Sequence, residues 1–97
     1  MDSSVHADIH SDIGSYLERL FADGFAIRNC FYYPDEFGNF VIDLRRGNTE
    51  IRIVRDRGQY TIDGIESKEL LTVGLWKAFD SSDEFFDVLF RYLKNAT

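Results

Sequence analysis

Residues 40–63 read FVIDLRRGNTEIRIVRDRGQYTID, and this stretch has the clearest periodicity in the chain. Apolar residues alternate with polar ones along it, which predicts three short strands that each bury one face. The segments Gly47-Asn48 and Asp56-Arg57-Gly58 separate these strands, and such residues supply the positive φ values that tight hairpins need. The inward-facing residues of the first two strands are expected to be Phe40, Ile42, Leu44, Ile51 and Ile53. The stretch therefore predicts an antiparallel meander.

A further strand is predicted before this stretch, because the apolar period changes to two at Phe25. A regular strand would carry Phe25, Ile27, Phe31 and Tyr33 on one face and Ala26, Arg28, Cys30 and Tyr32 on the other. Pro34 cannot donate a hydrogen bond in a central ladder, so residues 34–39 are expected to form a connection. The complete meander is predicted to have four strands.

A helix is predicted on the N-terminal side of the strands. Apolar residues recur at three- and four-residue intervals over residues 9–23. Gly24 follows directly, at the position where a helix commonly ends in the left-handed conformation. Residues 1–8 precede this pattern and are expected to fray.

The last third of the chain is predicted to be helical with an interruption. Leucine and phenylalanine at four-residue spacing predict a helix over residues 67–79, although residues 72–74 lower its propensity. Ser81-Ser-Asp-Glu84 matches a capping box and predicts a last helix that runs to about Lys94. The order of elements predicts one α+β domain over residues 1–97, with the helices packed on one face of the sheet.

The composition argues against several classes of protein. The chain has 97 residues, of which 44% are hydrophobic, and nine phenylalanines and five tyrosines indicate a folded core rather than a disordered tail. A net charge of −6 makes nucleic acid an unexpected partner. No apolar run approaches the ~20 residues of a membrane helix, and no secretory signal is visible. The single cysteine excludes an intramolecular disulfide, so the expected location is the cytoplasm.

Few residues are candidates for catalysis or metal binding. His6 and His10 lie four residues apart, a spacing that places two imidazoles on one helix face, as in zinc sites. A third ligand at a defined spacing is missing, so we favour a solvated N-terminal turn. Cys30 has no histidine near it in sequence to act as a base, so we interpret it as a small apolar strand residue. We predict no catalytic residues, no metal and no cofactor.

Charge is unevenly distributed along the chain. Residues 38–60 carry five arginines against three acidic residues, whereas acidic residues dominate the segments before and after them. The outer face of the predicted sheet would display Arg28, Tyr32, Asp43, Arg45 and Arg52. Because protein interfaces favour Tyr and Arg, this face is a candidate partner-binding surface. The alternative is that the arginines only pair with carboxylates on neighbouring strands and contribute little.

A second candidate surface is acidic and surrounds the start of the last predicted helix. Its members are Asp80, Asp83, Glu84 and Asp87. Negative charge in a first helical turn contributes ~0.3–1 kcal/mol through the helix macrodipole, so capping and solubility are one explanation. The other is that this compact patch of four carboxylates steers a basic protein partner toward the domain.

The segments Phe37–Leu44 and Ile51–Tyr60, followed by a helical tail that bears Trp76, resemble small bacterial immunity proteins, the antidotes to polymorphic or contact-dependent toxins. The similarity covers about residues 37–80, and its clearest element is Asp56-Arg-Gly-Gln59. The resemblance implies a cytoplasmic, non-enzymatic protein that binds one cognate toxin domain and blocks its active site or substrate access. Many such toxins are nucleases with basic clefts, to which an acidic inhibitor is complementary in charge.

Three functions are open from the sequence. The first is an immunity protein that acts as a monomer or a weak homodimer on a protein toxin, without nucleic acid or membrane contacts. The second is a small acidic secretion chaperone or adaptor, which would need dimerisation and an apolar groove for a client segment. The third is an enzyme or metal protein, which would depend on His6, His10 and Cys30.

Overall fold

The structure is a computed structural model, and it describes residues 5–95. In chain order the elements are α1 (Ala7–Ala22), β1 (Ala26–Tyr33), β2 (Asn39–Arg46), β3 (Thr49–Asp56), β4 (Gln59–Asp63), α2 (Ser67–Val73) and α3 (Ser82–Asn95). The strands form one antiparallel sheet in the order β1-β2-β3-β4. The predicted α+β arrangement, a helix followed by a four-stranded meander and C-terminal helices, is confirmed.

The core lies between one face of the sheet and the apolar sides of α1 and α3. All five inward-facing residues expected in β2 and β3 are buried, as are Tyr60 and Ile62 of β4. The helices contribute Ile9, Ile13, Leu17, Leu20, Phe85, Phe86, Leu89, Phe90 and Leu93. Burial of each large apolar side chain contributes about 1.5–3 kcal/mol, so this layer is the main source of stability. Val5 also packs in it, at the start of the described chain.

The hairpin turns contain two non-glycine residues in the left-handed region. In the β3–β4 turn, Arg57 and Gly58 both have positive φ, at 54° and 80°, as a type I′ turn requires. The connection between β1 and β2 ends in a similar pair, because Phe37 has φ 58° and Gly38 has φ 70°. In the β2–β3 turn only Gly47 takes a positive φ, 60°, which corresponds to type II′ rather than to a turn with two such residues.

The regular alternation predicted for β1 is wrong, because this strand contains a bulge. Ile27 pairs with Leu44 and Asn29 pairs with Asp43, which leaves Arg28 as an extra residue. An extra residue reverses the faces of everything downstream of it. Cys30 and Tyr32 therefore face the helices, whereas Phe31 and Tyr33 lie on the outer face with exposed fractions of 48% and 43%.

The helix predicted over residues 67–79 is shorter than expected. α2 ends at Gly74, whose φ of 82° forms a left-handed cap, and the N–H of Gly74 donates to the carbonyl of Leu70. Beyond this cap Phe79 pairs with Tyr60 through two backbone hydrogen bonds of 2.8 and 2.9 Å. The predicted start of α3 is correct, since the hydroxyl of Ser81 accepts the N–H of Glu84 at 3.4 Å. The apolar residues at four-residue spacing, which predicted one helix, thus lie partly in α2 and partly in the segment that pairs with Tyr60.

Candidate protein-binding surfaces

The sheet face opposite α1 and α3, here called the open face, carries a row of mostly apolar residues across all strands. Consecutive cross-strand pairs connect Phe31, Val41, Val54 and Thr61, which we call the apolar row. Its members are half-buried or exposed, in contrast to the fully buried residues of the helix-facing side. Tyr33 extends the exposed aromatic surface at the β1 end. The open face is therefore an amphipathic surface, and sequence reasoning that assigned Phe31 and Tyr33 to the core missed it.

A polar row runs beside the apolar row and contains two of the predicted site residues. Arg52 donates to Asp43 twice, from Nε to Oδ1 at 2.7 Å and from Nη2 to Oδ2 at 3.1 Å. Asn29 adds a third donor to Asp43 at 3.3 Å. The hydrogen bond from Arg52 is the main reason why the pKa of Asp43 lies below its usual range, and Asn29 supports it. A shallow depression of about 340 Å³ lies over these side chains.

The other two arginines predicted for this surface also lie on the open face. Nη1 of Arg28 is 3.4 Å from a carboxylate oxygen of Glu50. Nε of Arg45 donates to the carbonyl of Gly47 at 2.7 Å and lies 4.0 Å from Glu50. About half of each arginine side chain remains exposed. The arginines thus pair with neighbouring groups, as the alternative interpretation expected, and are still accessible.

Tyr32 does not belong to this surface, which corrects the predicted set. Its hydroxyl donates to Asp8 at 2.7 Å on the helix-facing side, and this bond raises the pKa of Tyr32. The ring of His6 lies 4.5 Å from the ring of Tyr32. Nδ1 of His6 accepts the N–H of Asp8 at 3.0 Å, so this histidine caps α1. The bulge at Arg28 is the reason for the change of face.

His6 and His10 occupy different environments in the structure. His10 is exposed on α1, one turn after the cap formed by His6. Within residues 5–95, no group of three or more His, Cys, Asp or Glu side chains is arranged to hold a metal ion. Cys30 is half-buried and packs against the core.

The predicted acidic surface is assembled at the N-terminal end of α3, but most of its carboxylates have local partners. Asp80 accepts a hydrogen bond from the amide of Gln59 at 2.8 Å. Asp83 accepts the hydroxyl of Tyr16, and this bond raises the pKa of Tyr16. Asp87 pairs with Arg91 one turn later in α3. The exposed Glu84 makes no side-chain hydrogen bond or ion pair within the described chain.

A half-buried charged cluster on the helix-facing side was not predicted. Nε of Arg55 lies 3.6 Å from Asp12 of α1, and the hydroxyl of Tyr60 donates to the same carboxylate at 2.6 Å. Nη1 of Arg55 also donates to the carbonyls of Phe37 and Gly38, at 3.1 and 3.0 Å. Burial, followed by the bond to Asp12, raises the pKa of Tyr60. Arg55 therefore connects α1, the β1–β2 loop and β4.

The spacing of residues in β3 could have predicted that an arginine of this cluster faces the core. In β3, Arg55 follows Ile51 and Ile53 at two-residue spacing, which places it on the buried face. An inward-facing guanidinium requires an acceptor, because an unpaired buried charge is unstable. The signal did not identify Asp12 as that acceptor, since the two residues are far apart in sequence.

Three large apolar side chains outside the sheet are also exposed. Phe37 is 80% exposed at the end of the β1–β2 hairpin, and Leu71 and Trp76 are 66% and 63% exposed in and after α2. Large exposed apolar residues are informative when they cluster or occupy strained positions. Phe37 meets the second condition, because its φ is 58°.

Comparison of the chain with protein-family models, with curated proteins and with solved structures gives no match. Among residues 5–95, no helix has the length and apolar character needed to cross a membrane.

Proposed function

We propose that this chain is a non-enzymatic immunity protein that binds a cognate bacterial toxin domain and neutralises it through the open face. The observation that carries the proposal is the exposure of Phe31 and Tyr33 on the same face as the accessible arginines, which are Arg28, Arg45 and Arg52. Aromatic and arginine side chains dominate the binding energy of protein interfaces. An extended surface of this kind fits a folded protein partner better than a small molecule.

The ion pairs of the open face support recognition rather than argue against it. Arg52 is held by two hydrogen bonds to Asp43, so its side chain loses little conformational freedom when a partner binds. Its exposed half can still stack on or bond to a partner. A preorganised arginine is a better interface residue than a mobile one because less entropy is lost on binding.

Phe37 supports the proposal by a different argument. A large residue in the left-handed conformation costs roughly 1–2 kcal/mol, and its exposed ring recovers little of that by burial in the monomer. Glycine at this position would make the hairpin more stable. A side chain that lowers stability is expected where it contributes to function, here as an apolar anchor at the end of the hairpin.

The acidic surface around α3 is assigned an accessory role. The chain carries a net charge of −6, and Asp80, Glu84 and Asp87 concentrate part of it on one exposed side. Such a patch raises the association rate with a basic partner, and this effect weakens with salt. Its charge suits a nuclease-type toxin with a basic cleft.

The chaperone or adaptor alternative receives less support. It requires an apolar groove for a client segment, and the phenylalanines Phe85, Phe86 and Phe90 of α3 are buried in the core instead. The exposed pair Leu71 and Trp76 is the part of the surface that favours this alternative. A chaperone would bind several unfolded clients, whereas an immunity protein binds one folded domain.

The test combines capture with growth rescue. Tagged protein is used to capture partners from its native cells at low salt and then at 0.5 M salt, with identification by mass spectrometry. The proposal expects one stoichiometric partner whose C-terminal domain inhibits growth when expressed alone, and whose toxicity is relieved by co-expression of this chain. Several unfolded clients would support the chaperone alternative, and a lack of growth rescue would contradict the immunity function.

Two variants then locate the binding surface. Phe37→Gly is expected to raise the free energy of unfolding by about 1 kcal/mol yet to weaken toxin binding. The triple change Asp80→Lys, Glu84→Lys and Asp87→Lys is expected to slow association several-fold at low salt only. It leaves out Asp83 because that carboxylate accepts the hydroxyl of Tyr16.

A charge-matched control completes the design. Glu18, Asp23 and Glu66 are exposed and lie outside α3 and outside the β1–β2 turn, so their reversal to lysine changes the net charge equally. The two triple variants are compared by stopped-flow association at two salt concentrations. Equal slowing of association in both triple variants would show that the α3 surface has no specific role. Tighter toxin binding by Phe37→Gly would contradict a role of Phe37 in binding.

A further inference from the structure

The two central strands of the open face carry side chains that complement each other level by level. β2 and β3 place the following residues directly opposite one another: Val41 and Val54, then Asp43 and Arg52, then Arg45 and Glu50. One level is apolar on both strands, and each of the other two combines an arginine with a carboxylate. Exchanging β2 for β3 would therefore leave the same set of attractive contacts.

This pattern makes the open face complementary to itself. When two copies stack face to face around a two-fold axis parallel to the strands, β2 of one copy lies over β3 of the other at the same level. Asp43 of each copy then lies opposite Arg52 of the other, and Val41 opposite Val54. Each ion pair within a chain becomes one side of a square of four charges that alternate in sign. An axis perpendicular to the strands and along the polar row would instead place Asp43 opposite Asp43.

The charge of the whole chain favours contact through this face. At a net charge of −6, two copies repel each other in most orientations. The four charged residues of the levels described above, which are Asp43, Arg45, Glu50 and Arg52, sum to zero. The acidic surface of α3 belongs to the opposite layer of the molecule. Contact through the open face therefore avoids most of the general repulsion.

The open face is accessible for this contact in the described chain. Phe31 and Tyr33 are 48% and 43% exposed, and the side chain of Arg52 is 50% exposed. Val5 packs in the core and Asn95 ends α3, so both ends of the described range lie on the helix-facing side.

We propose that a second copy of this chain covers the open face in a two-fold dimer, with β2 of each copy stacked on β3 of the other. Two such sheets pack about 10 Å apart, with their strands within about 30° of each other. The apolar row then lies inside the interface. Phe31 at the β1 end meets the smaller Thr61 at the β4 end of the other copy, so large and small side chains face each other.

The expected dimer is weak and reversible. Four strands of five to eight residues give each face dimensions of roughly 15 by 20 Å, so two stacked faces bury on the order of 1,000 Å² in total. This area is at the lower limit for a specific interface. Asp43 and Arg52 keep each other as partners within the chain, so stacking leaves neither charge unpaired.

Self-association and the proposed toxin binding use the same face and therefore exclude each other. This competition rests on the proposed function, because it requires that the open face binds the toxin. The dimer itself needs no toxin and is tested on the chain alone. A monomeric chain would contradict the dimer only, and a lack of growth rescue would contradict the immunity function only.

Charge reversal across the stacked levels tests the proposal. Arg52→Glu places carboxylates opposite each other between the copies, and Asp43→Lys places cations opposite each other. Each variant is expected to dimerise at least about tenfold more weakly than the wild type. Asp87→Lys and Arg91→Glu are the matched controls, because they make the same charge changes in an exposed ion pair of α3. Sedimentation equilibrium measures self-association, and circular dichroism verifies the fold of each variant.

Mixtures of variants distinguish this register from other modes of association. In an equimolar mixture of Arg52→Glu and Asp43→Lys, the stacked pairs of a mixed dimer combine opposite charges, so stronger dimerisation than by either variant alone is expected. The mixture of Asp87→Lys with Arg91→Glu has the same net charges and is expected to show no such gain.

A double variant keeps the ion pair within each chain and so protects the test against misfolding. The chain with both Asp43→Lys and Arg52→Glu is expected to dimerise like the wild type but to form few mixed dimers with it, because like charges would then be stacked. Fluorescence energy transfer between labelled chains detects the mixed dimers.

Four results would each overturn the proposal. They are a wild-type chain that stays monomeric up to about 1 mM, a dimer that Arg52→Glu leaves intact or the controls weaken equally, a mixture without recovery, and mixed dimers of the double variant with the wild type in statistical proportion.

Discussion

The two faces of the sheet use similar residue types for different purposes. On the helix-facing side, Arg55 and Asp12 form a pair whose side chains are 27% and 33% exposed. On the open face, the side chains of Arg52 and Asp43 are 50% and 19% exposed, and Arg52 makes two hydrogen bonds to Asp43. The shorter contacts therefore occur where the arginine is more exposed. We expect burial of the arginine and the number of elements it joins, rather than bond length, to decide which pair supports the fold.

In this small domain, the residues that we expect to stabilise the fold and those that we expect to bind a partner lie on opposite faces of the sheet. The helix-facing side contains the fully buried phenylalanines and the charged cluster that joins three elements. The open face contains exposed aromatic residues and ion pairs that hold side chains in position. Changes on the first side are expected to unfold the protein, and changes on the second to alter what it binds.

Replacing one phenylalanine on each face is expected to give the largest difference in the free energy of unfolding. Phe86 is fully buried, so Phe86→Ala is expected to lower the free energy of unfolding by about 4 kcal/mol through lost burial and a cavity. Phe31→Ala is expected to cost about 1 kcal/mol or less, because the ring is already half exposed. Urea unfolding measures both. Equal losses would mean that the open face is covered in the folded monomer.

Removal of an arginine from each face should give the next largest effect. Arg55→Ala leaves Asp12 half-buried without its cation and frees the β1–β2 loop, and a loss of about 2 kcal/mol is expected. Arg52→Ala removes a half-exposed arginine that joins only neighbouring strands, and Asp43 keeps the hydrogen bond from Asn29, so this change is expected to cost clearly less. Thermal unfolding of the two variants tests the order. If Arg52→Ala were the more destabilising change, the assignment of stability to the helix-facing side would be wrong.

The smallest expected effect concerns pH. The pKa of Asp43 is lowered in the folded state, so its contribution is present above the ordinary carboxyl pKa of about 3.9 and is lost as pH falls through the folded value. Wild-type stability should therefore decline below about pH 4 more steeply than that of Asp43→Asn. Arg52→Gln is expected to flatten the profile in the same way, because it removes the main cause of the shift. Urea unfolding at pH 6, 4 and 3 gives the comparison, and parallel profiles would contradict it.

Much of the architecture follows from local sequence. The alternation of residues 40–63, the turn glycines and the Ser81 cap each act within a few residues, so they predicted the meander and the start of α3 correctly. Of the residues proposed for the outer face, Asp43, Arg45 and Arg52 lie there for the same reason, and Arg28 lies there as the extra residue of the bulge.

Other features depend on partners that are distant in sequence. A bulge is a property of two strands in register, so no pattern within β1 alone placed it at Arg28 or moved Tyr32 to the helix side and Phe31 outward. The end of α2 at Gly74 freed Phe79 to pair with Tyr60. Likewise, Arg55 contacts Asp12 only because α1 packs on the sheet.

Periodicity and turn chemistry are local, so the sequence alone predicted the order of the helices and strands and the pairing order of the strands, although not the end of α2. Which side chains of β1 face solvent, and which carboxylates already have partners, became evident only in the folded chain. Those properties arise from register and packing between distant segments, and they are the ones on which a binding surface depends.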